Sequence, residues 1–308
     1  MPDFKTPREL LNAYKEGFVG SYCDPEDVDK LLGELPHPLF GAAAYSLYGS
    51  GEGKVVLLYK NVQKFDPSFG YTERQVTGDC VSHSTRSAVD VTRSTEIIGG
   101  EREEWVAKGA TEGIYGSRGH GGQGMSCSGA ARFVHQNGGV LLRQKYGSID
   151  LSKYDGMLGA GWGRRGVPSE LVNQAKKHQV KTISLVKTVR EARDAIANGY
   201  AISVCSGYGF SSKRDSKGIA KRSGSWSHAM AWVAVDDSKE RHNETLFCVQ
   251  NSWGVWNGGP KALDQPDGSF WIRESDAAGM LAQDGSWVFS DVDGFPPRKV
   301  DWTLDQVF

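Results

Sequence analysis

Apolar residues recur at helical spacing through the first two thirds of the chain. In the last third they gather into short runs of strand type. Leu10, Leu11 and Tyr14 fall on one face of a helix that Thr6-Pro7-Arg8-Glu9 would open. Asp24 begins a second: a capping carboxylate, then Pro25 in the first turn, then Glu26 and Asp27 at the positive end of the dipole. Val28, Leu31, Leu32 and Leu35 supply its apolar face, and Pro36 and Pro38 end it. Lys54 to Tyr59 is predicted as a strand. A helix is predicted from Cys80 to about Ile97, with Asp79 as its N-cap. Ser126 to Gln136 predicts another, stopped by Asn137-Gly138-Gly139, and Pro168 to Lys177 a further one. Thr188-Val189-Arg190-Glu191 is a capping box opening a helix that closes at Gly199.

Beyond Gly199 the period changes. Residues 200–204, 229–235, 245–249 and 269–272 are short β-like runs separated by turns. Helices first and strands later is an α+β order, a helical region beside a mostly antiparallel sheet. The 308 residues show no repeat and no low-complexity segment. Residues 1–54 are expected to be an N-terminal extension of two short helices, and 55–308 the main domain. Helices this short are marginal alone, so the extension is expected to pack on the domain as a permanent structural element. Gly49-Ser50-Gly51-Glu52-Gly53 would be a hinge or a cleavage site, so processing is the competing reading, and the segment would be a structural add-on or a small self-blocking one.

With 36 Lys and Arg against 37 Asp and Glu, the charge gives no reason to expect nucleic acid or an anionic membrane as partner. The basic cluster Lys213, Arg214, Lys217, Lys221 and Arg222 is expected to be a solvated loop. No apolar run is long enough to span a bilayer, and the start lacks a signal-peptide profile, so an intracellular location is expected. Five cysteines at irregular spacing make a poor disulfide framework. Cys23, Cys127, Cys205 and Cys248 are therefore expected to be free thiols.

Cys80 carries the candidate chemistry. At a helix start, unpaired N–H groups and the dipole favour a thiolate. Gln75 lies just upstream, where its amide would serve with the Cys80 N–H as a donor to an oxyanion. The segment Gln75-Val76-Thr77-Gly78-Asp79-Cys80 resembles the Gln…Gly-x-Cys segment of papain-like cysteine peptidases. Ser227-His228-Ala229-Met230 resembles their His-Ala-strand segment. Gln250-Asn251-Ser252-Trp253-Gly254-Val255-Trp256 is similar to their Asn-Ser-Trp-Gly-x-x-Trp signature. Gly121-Gly122 with the helix behind it resembles their glycine-rich substrate wall. All stand in the family's order, from about Gln75 to Ile272.

The resemblance implies a two-lobed α+β fold, with the cleft between a helical lobe and an antiparallel β-rich lobe. It implies a thioester peptidase: Cys80 as nucleophile, His228 as base, Asn251 orienting the histidine, Gln75 at the oxyanion. Trp253 would shield the His228–Asn251 bond, and Gly121, Gly122 and Ala229 would line the substrate, a peptide or protein. No metal or organic cofactor is called for. Departures are Gln75 one position closer to the cysteine than usual, Val81 for the usual Trp, and the missing family disulfide positions. Cys80-x-x-His83 with His120 and Cys127 could be drawn as a zinc site, but the spacing is not that of a paired knuckle. Rival functions on the same fold are an amidase or transpeptidase acting on cell-wall peptides, and a non-catalytic assembly protein.

Overall fold

The computed structural model describes residues 3–69, 73–100, 104–136 and 139–298. In chain order, helix α1 (Pro7–Lys15), strand β1 (Ser21–Tyr22) and helix α2 (Pro25–Glu34) come first. Short α3 (Phe40–Ala43), β2 (Val55–Val56) and α4 (Leu58–Gln63) follow. Then come the long α5 (Cys80–Ile98), α6 (Thr111–Gly116), β3 (Met125–Ser126) and α7 (Cys127–Gln136). The pair β4 (Lys145–Tyr146) and β5 (Ile149–Asp150) leads to α8 (Gly156–Arg165) and α9 (Ser169–Ala175). The rest is β6 (Thr182–Leu185), α10 (Val189–Ala197), β7 (Ile202–Arg214), β8 (Ala220–Asp236), β9 (Leu246–Gln250), β10 (Phe270–Arg273), α11 (Glu274–Leu281) and β11 (Ser286–Ser290).

The main sheet is antiparallel in the order β10-β9-β8-β7-β11-β6, with β2 joined to the far end of β8. Its register sets His228 opposite Ser206 and Ala229 opposite Cys205. Large buried rings fill it, among them Trp232, Trp253, Trp271 and Trp287. Helix α5 lies against this sheet and is buried along nearly its whole length. Several of its polar residues bond inside: Ser84 Oγ meets Ser203 Oγ at 2.7 Å, and Ser94 Oγ donates to Val91 O. The architecture is thus the expected α+β one, a helical region against an antiparallel sheet.

Several local expectations are corrected. The expected 54–59 strand is only Val55–Val56, after which Leu58 starts α4. The expected hinge is tied down instead: Gly49 N and Gly51 N donate to the Asp194 carboxylate, and Gly53 N to Asp237. The basic cluster spans the far end of the β7–β8 hairpin, with Lys213, Arg214, Lys221 and Arg222 on the strands and Lys217 in the turn between them. Arg214 within it is buried and donates to Asn257 Oδ1 and the Pro260, Ser269 and Gly259 carbonyls. The helix stop at Asn137-Gly138 lies outside the described residues.

Candidate active site

Cys80 is the first residue of α5, and its side chain is fully buried. The backbone N–H groups of Ala229 and Val81 donate to its sulfur. Behind it Asp79 does not cap the helix, as its side chain makes no capping bond. Instead Tyr154 Oη donates to Asp79 Oδ2 at 2.8 Å, and His83 Nε2 lies 3.5 Å from the same oxygen.

On β8, His228 faces Asn251 at the end of β9, with Nε2 2.8 Å from Asn251 Oδ1. The Ser252 backbone N–H also donates to that oxygen, at 2.7 Å, which fixes the amide's orientation. Nε2 therefore carries the proton and Nδ1 is the acceptor. The Trp253 ring lies 4.8 Å from the imidazole, between centroids. Gln75 is held by its neighbours: Oε1 accepts from Ser252 Oγ and Trp253 Nε1, and Nε2 donates to Thr77 O. Its amide also reaches the Tyr14 hydroxyl.

The N-terminal extension packs in the cleft. Phe18 to Cys23 form a strap between the two walls. Gly20 N donates to Ser227 O, Met125 N donates to Gly20 O, and β1 pairs in parallel with β3. The Gly20 backbone passes over Cys80, since a Cβ there would sit 2.8 Å from Cys80 Sγ and 2.0 Å from Tyr14 Oη. Only glycine fits such an approach. Tyr14, from the apolar face of α1, places its hydroxyl 3.0 Å from His228 Nδ1 and in hydrogen-bond contact with Cys80 and Gln75. With Nδ1 as acceptor, the Tyr14 hydroxyl shares its proton between His228 Nδ1 and the Cys80 sulfur, and its oxygen accepts from Gln75.

Burial under this cover sets the charges. It pushes the Cys80 thiol up to about 12, against the pull of the Tyr14 hydroxyl and the Ala229 N–H. It pulls the His228 imidazole down to about 3, against its bond to Asn251. Both groups are therefore neutral near pH 7, not the thiolate–imidazolium pair a nucleophilic thiol needs.

The fold is that of papain-like cysteine proteases. Xylellain, a cysteine protease from Xylella fastidiosa, superposes with a TM-score of 0.52 at 18% identity, over 78% of this chain and 86% of its own. A procathepsin B from Trypanosoma congolense gives 0.55 at 12%, over 92% and 88%. The proform of Amb a 11, a ragweed pollen cysteine protease, gives 0.50 at 13%, over 97% and 75%. Identities this low establish a shared fold. No family model matches the chain, and no curated protein matches its sequence.

In this papain-like frame Cys80, Gln75, His228, Asn251 and Trp253 converge. Ala229 sits behind the thiol, buried, and meets it through its backbone N–H. Gly121 and Gly122 are not the wall against which the strap lies; that wall is Gly124 to Ser126. The two glycines belong to the preceding loop, which Gln123 ties to the Cys80 turn by accepting from Gly78 N and Thr77 Oγ1. The zinc alternative has no support in the arrangement. Cys127 is in a disulfide, His120 pairs with Tyr22, and among the described residues no three His, Cys, Asp or Glu side chains converge as ligands would. Sequence reasoning missed the cleft residues Tyr14 and Gly20. The one available signal was the apolar stretch Phe18-Val19-Gly20 between two helices, which belongs to neither helix face.

Proposed function

We propose that the chain is a cysteine peptidase whose N-terminal segment holds it latent. The observation that supports this best is the convergence of Cys80, His228, Asn251 and Gln75 around one hydroxyl, that of Tyr14. With the strap withdrawn, His228 Nδ1 takes the Cys80 proton, and the thiolate attacks a peptide carbonyl carbon. The oxyanion that forms is met by Gln75 Nε2 and the Cys80 N–H. His228 then gives its proton to the leaving amine, and water hydrolyses the thioester with His228 again as base. Asn251 positions the imidazole throughout. A peptide is the fitting substrate because the cleft's present occupant is an extended peptide, paired to both walls.

The strap itself is not positioned for cleavage at Gly20. That carbonyl points to Met125 N, and Tyr14 occupies the space between Cys80 and His228. In this reading residues 1–54 are a self-blocking extension of the domain formed by 55–308, rather than an add-on without effect on activity. The test is a thiol-directed epoxide and a peptide library, applied to the full chain and to chain freed of residues 1–54. Labelling at Cys80 and hydrolysis should both appear on removal of the segment and both vanish in Cys80→Ala. Labelled, folded protein that hydrolyses no peptide would rule the peptidase reading out.

A further inference from the structure

The proposed chemistry uses one of five cysteines, and three others meet at the rim of the cleft. Cys127, which opens α7, and Cys205, on β7, form a disulfide with their Cα atoms 6.4 Å apart. This corrects the expectation of free thiols there: the irregular spacing hid a bond between residues 78 positions apart. The bond ties the helical wall to the sheet wall. Cys23, a free thiol, ends the strap. On one side the register sets Tyr22 against Ser126, and Cys23 and Cys127 are the residues that follow this last pair. On the other, a Cβ on Gly285 would lie 2.5 Å from Cys23 Sγ and 3.0 Å from Cys205 Cβ. The bare glycine lets the two cysteines face each other. A surface pocket of about 350 Å³, bordered by Tyr22, Cys23, Cys205 and Gln283, opens the site to dissolved thiols.

We propose that Cys23, Cys127 and Cys205 form a thiol–disulfide exchange site that locks the strap in the cleft, a proposal that rests on the strap being the inhibitory element. Cys23 gives its proton to solvent and attacks Cys205 Sγ. The Cys127–Cys205 bond breaks, and Cys127 leaves as a thiolate that takes up a proton. One disulfide replaces another, so no oxidant or reductant is consumed. In the product the strap is bonded to β7 and the two walls are no longer joined. A dithiol or glutathione-type reductant returns all three to thiols and frees the strap. Burial, with Asp284 nearby, holds the Cys23 thiol up to about 11, so exchange is slow while the strap is seated and speeds up in alkali or when it opens.

The test uses the full chain carrying Cys80→Ala, which removes self-cleavage. After incubation in mildly alkaline buffer without reductant, free thiols are alkylated and the disulfides mapped by mass spectrometry. Peptides linked through Cys23–Cys205 should appear beside Cys127–Cys205, with alkylated Cys127 in matching amount. In Cys127→Ser, oxidised glutathione should join Cys23 to Cys205 and protect both from alkylation. The proposal is overturned if only Cys127–Cys205 is found, or if Cys23 and Cys205 of Cys127→Ser both stay alkylatable. These readouts do not depend on peptidase activity. With Cys80 intact, the locked Cys127→Ser chain should react with the epoxide about tenfold or more slowly than after reduction, since a tethered strap rebinds intramolecularly. Pairing without that difference would overturn the inhibitory role of the strap and leave the exchange chemistry standing.

Discussion

The Tyr14 hydroxyl engages three of the residues that the proposed chemistry needs, sharing its proton between His228 Nδ1 and the Cys80 sulfur and accepting from Gln75. Tyr14→Phe keeps the ring's packing on Phe18, His228 and Trp253 and removes only these bonds. A net hydrogen bond is worth about 0.5–1.5 kcal/mol, so alkylation of Cys80 in the full chain should quicken several-fold. An unchanged rate would mean that the strap alone closes the site. Gln75→Ala in strap-free enzyme should cost about 10²–10³ in kcat with little change in KM, the usual effect of losing one oxyanion donor. Steady-state kinetics on a peptide substrate check it, and loss confined to KM would remove Gln75 from that role. Cys80, Gln75, His228 and Asn251 were legible as candidates because they stand in three short motifs, Gln75 and Cys80 sharing one. Tyr14 was not, because its seat is fixed by a contact 214 positions away and its local pattern reads only as a helix face.

Among the elements, the strap depends on one residue without a side chain. Gly20→Leu would drive atoms into Tyr14 Oη and Cys80 Sγ, so the strap should leave the cleft while the domain stays folded. Epoxide labelling of the uncleaved variant should then approach that of chain lacking residues 1–54. A folded Gly20→Leu protein that labels no faster than wild type would show that the strap does not limit access. Helix α5 is held from the opposite side by buried charge. Arg143 donates to Glu73 and Glu112, and Arg86 of α5 pairs with Glu73. Arg143→Leu leaves those carboxylates short of a partner and should cost about 3–5 kcal/mol in denaturant unfolding. A loss well under 1 kcal/mol would mean that Arg86 and Lys108 suffice. Capped, amphipathic elements such as α2 and α10 were readable from sequence. The residues of α5 that pack inward are polar as well as apolar, so a hydrophobic pattern located the helix without revealing its burial. Gly121 and Gly122 precede the stretch that pairs with the strap, and a glycine pair marks a loop as readily as a wall, so the sequence alone did not locate that pairing.

At the scale of the whole molecule, burial under the closed strap makes the proposed latency depend on pH. Closed, His228 has its pKa near 3, against an ordinary 6.5. Between those values an open site binds a proton that the closed site does not, so acid favours opening, by up to about tenfold per pH unit. Closed, the Cys80 thiol lies near 12 against an ordinary 9.0. Between those values the open site releases a proton that the closed site keeps, so alkali also favours opening. Burial raises Tyr14 in the same direction, and the neighbouring Asp79 raises both Cys80 and Tyr14 further. On the acid side His83 adds to the lowering of His228. For open groups that titrate at their ordinary values, the closed state is therefore most stable between about 6.5 and 9, and its stability falls away on both sides. Hydrogen exchange at the Gly20 and Met125 amides, which bond to Ser227 O and Gly20 O, reads the opening directly once intrinsic exchange is corrected for. Protection should be greatest in that window and decline towards acid while the sheet amides stay protected. His228→Gln should flatten the acid limb and leave the alkaline one. If protection in folded wild type stays level as the pH falls from 6.5 towards 3, or if His228→Gln keeps the acid limb, then the strap's opening is not linked to His228 and the two sites close independently.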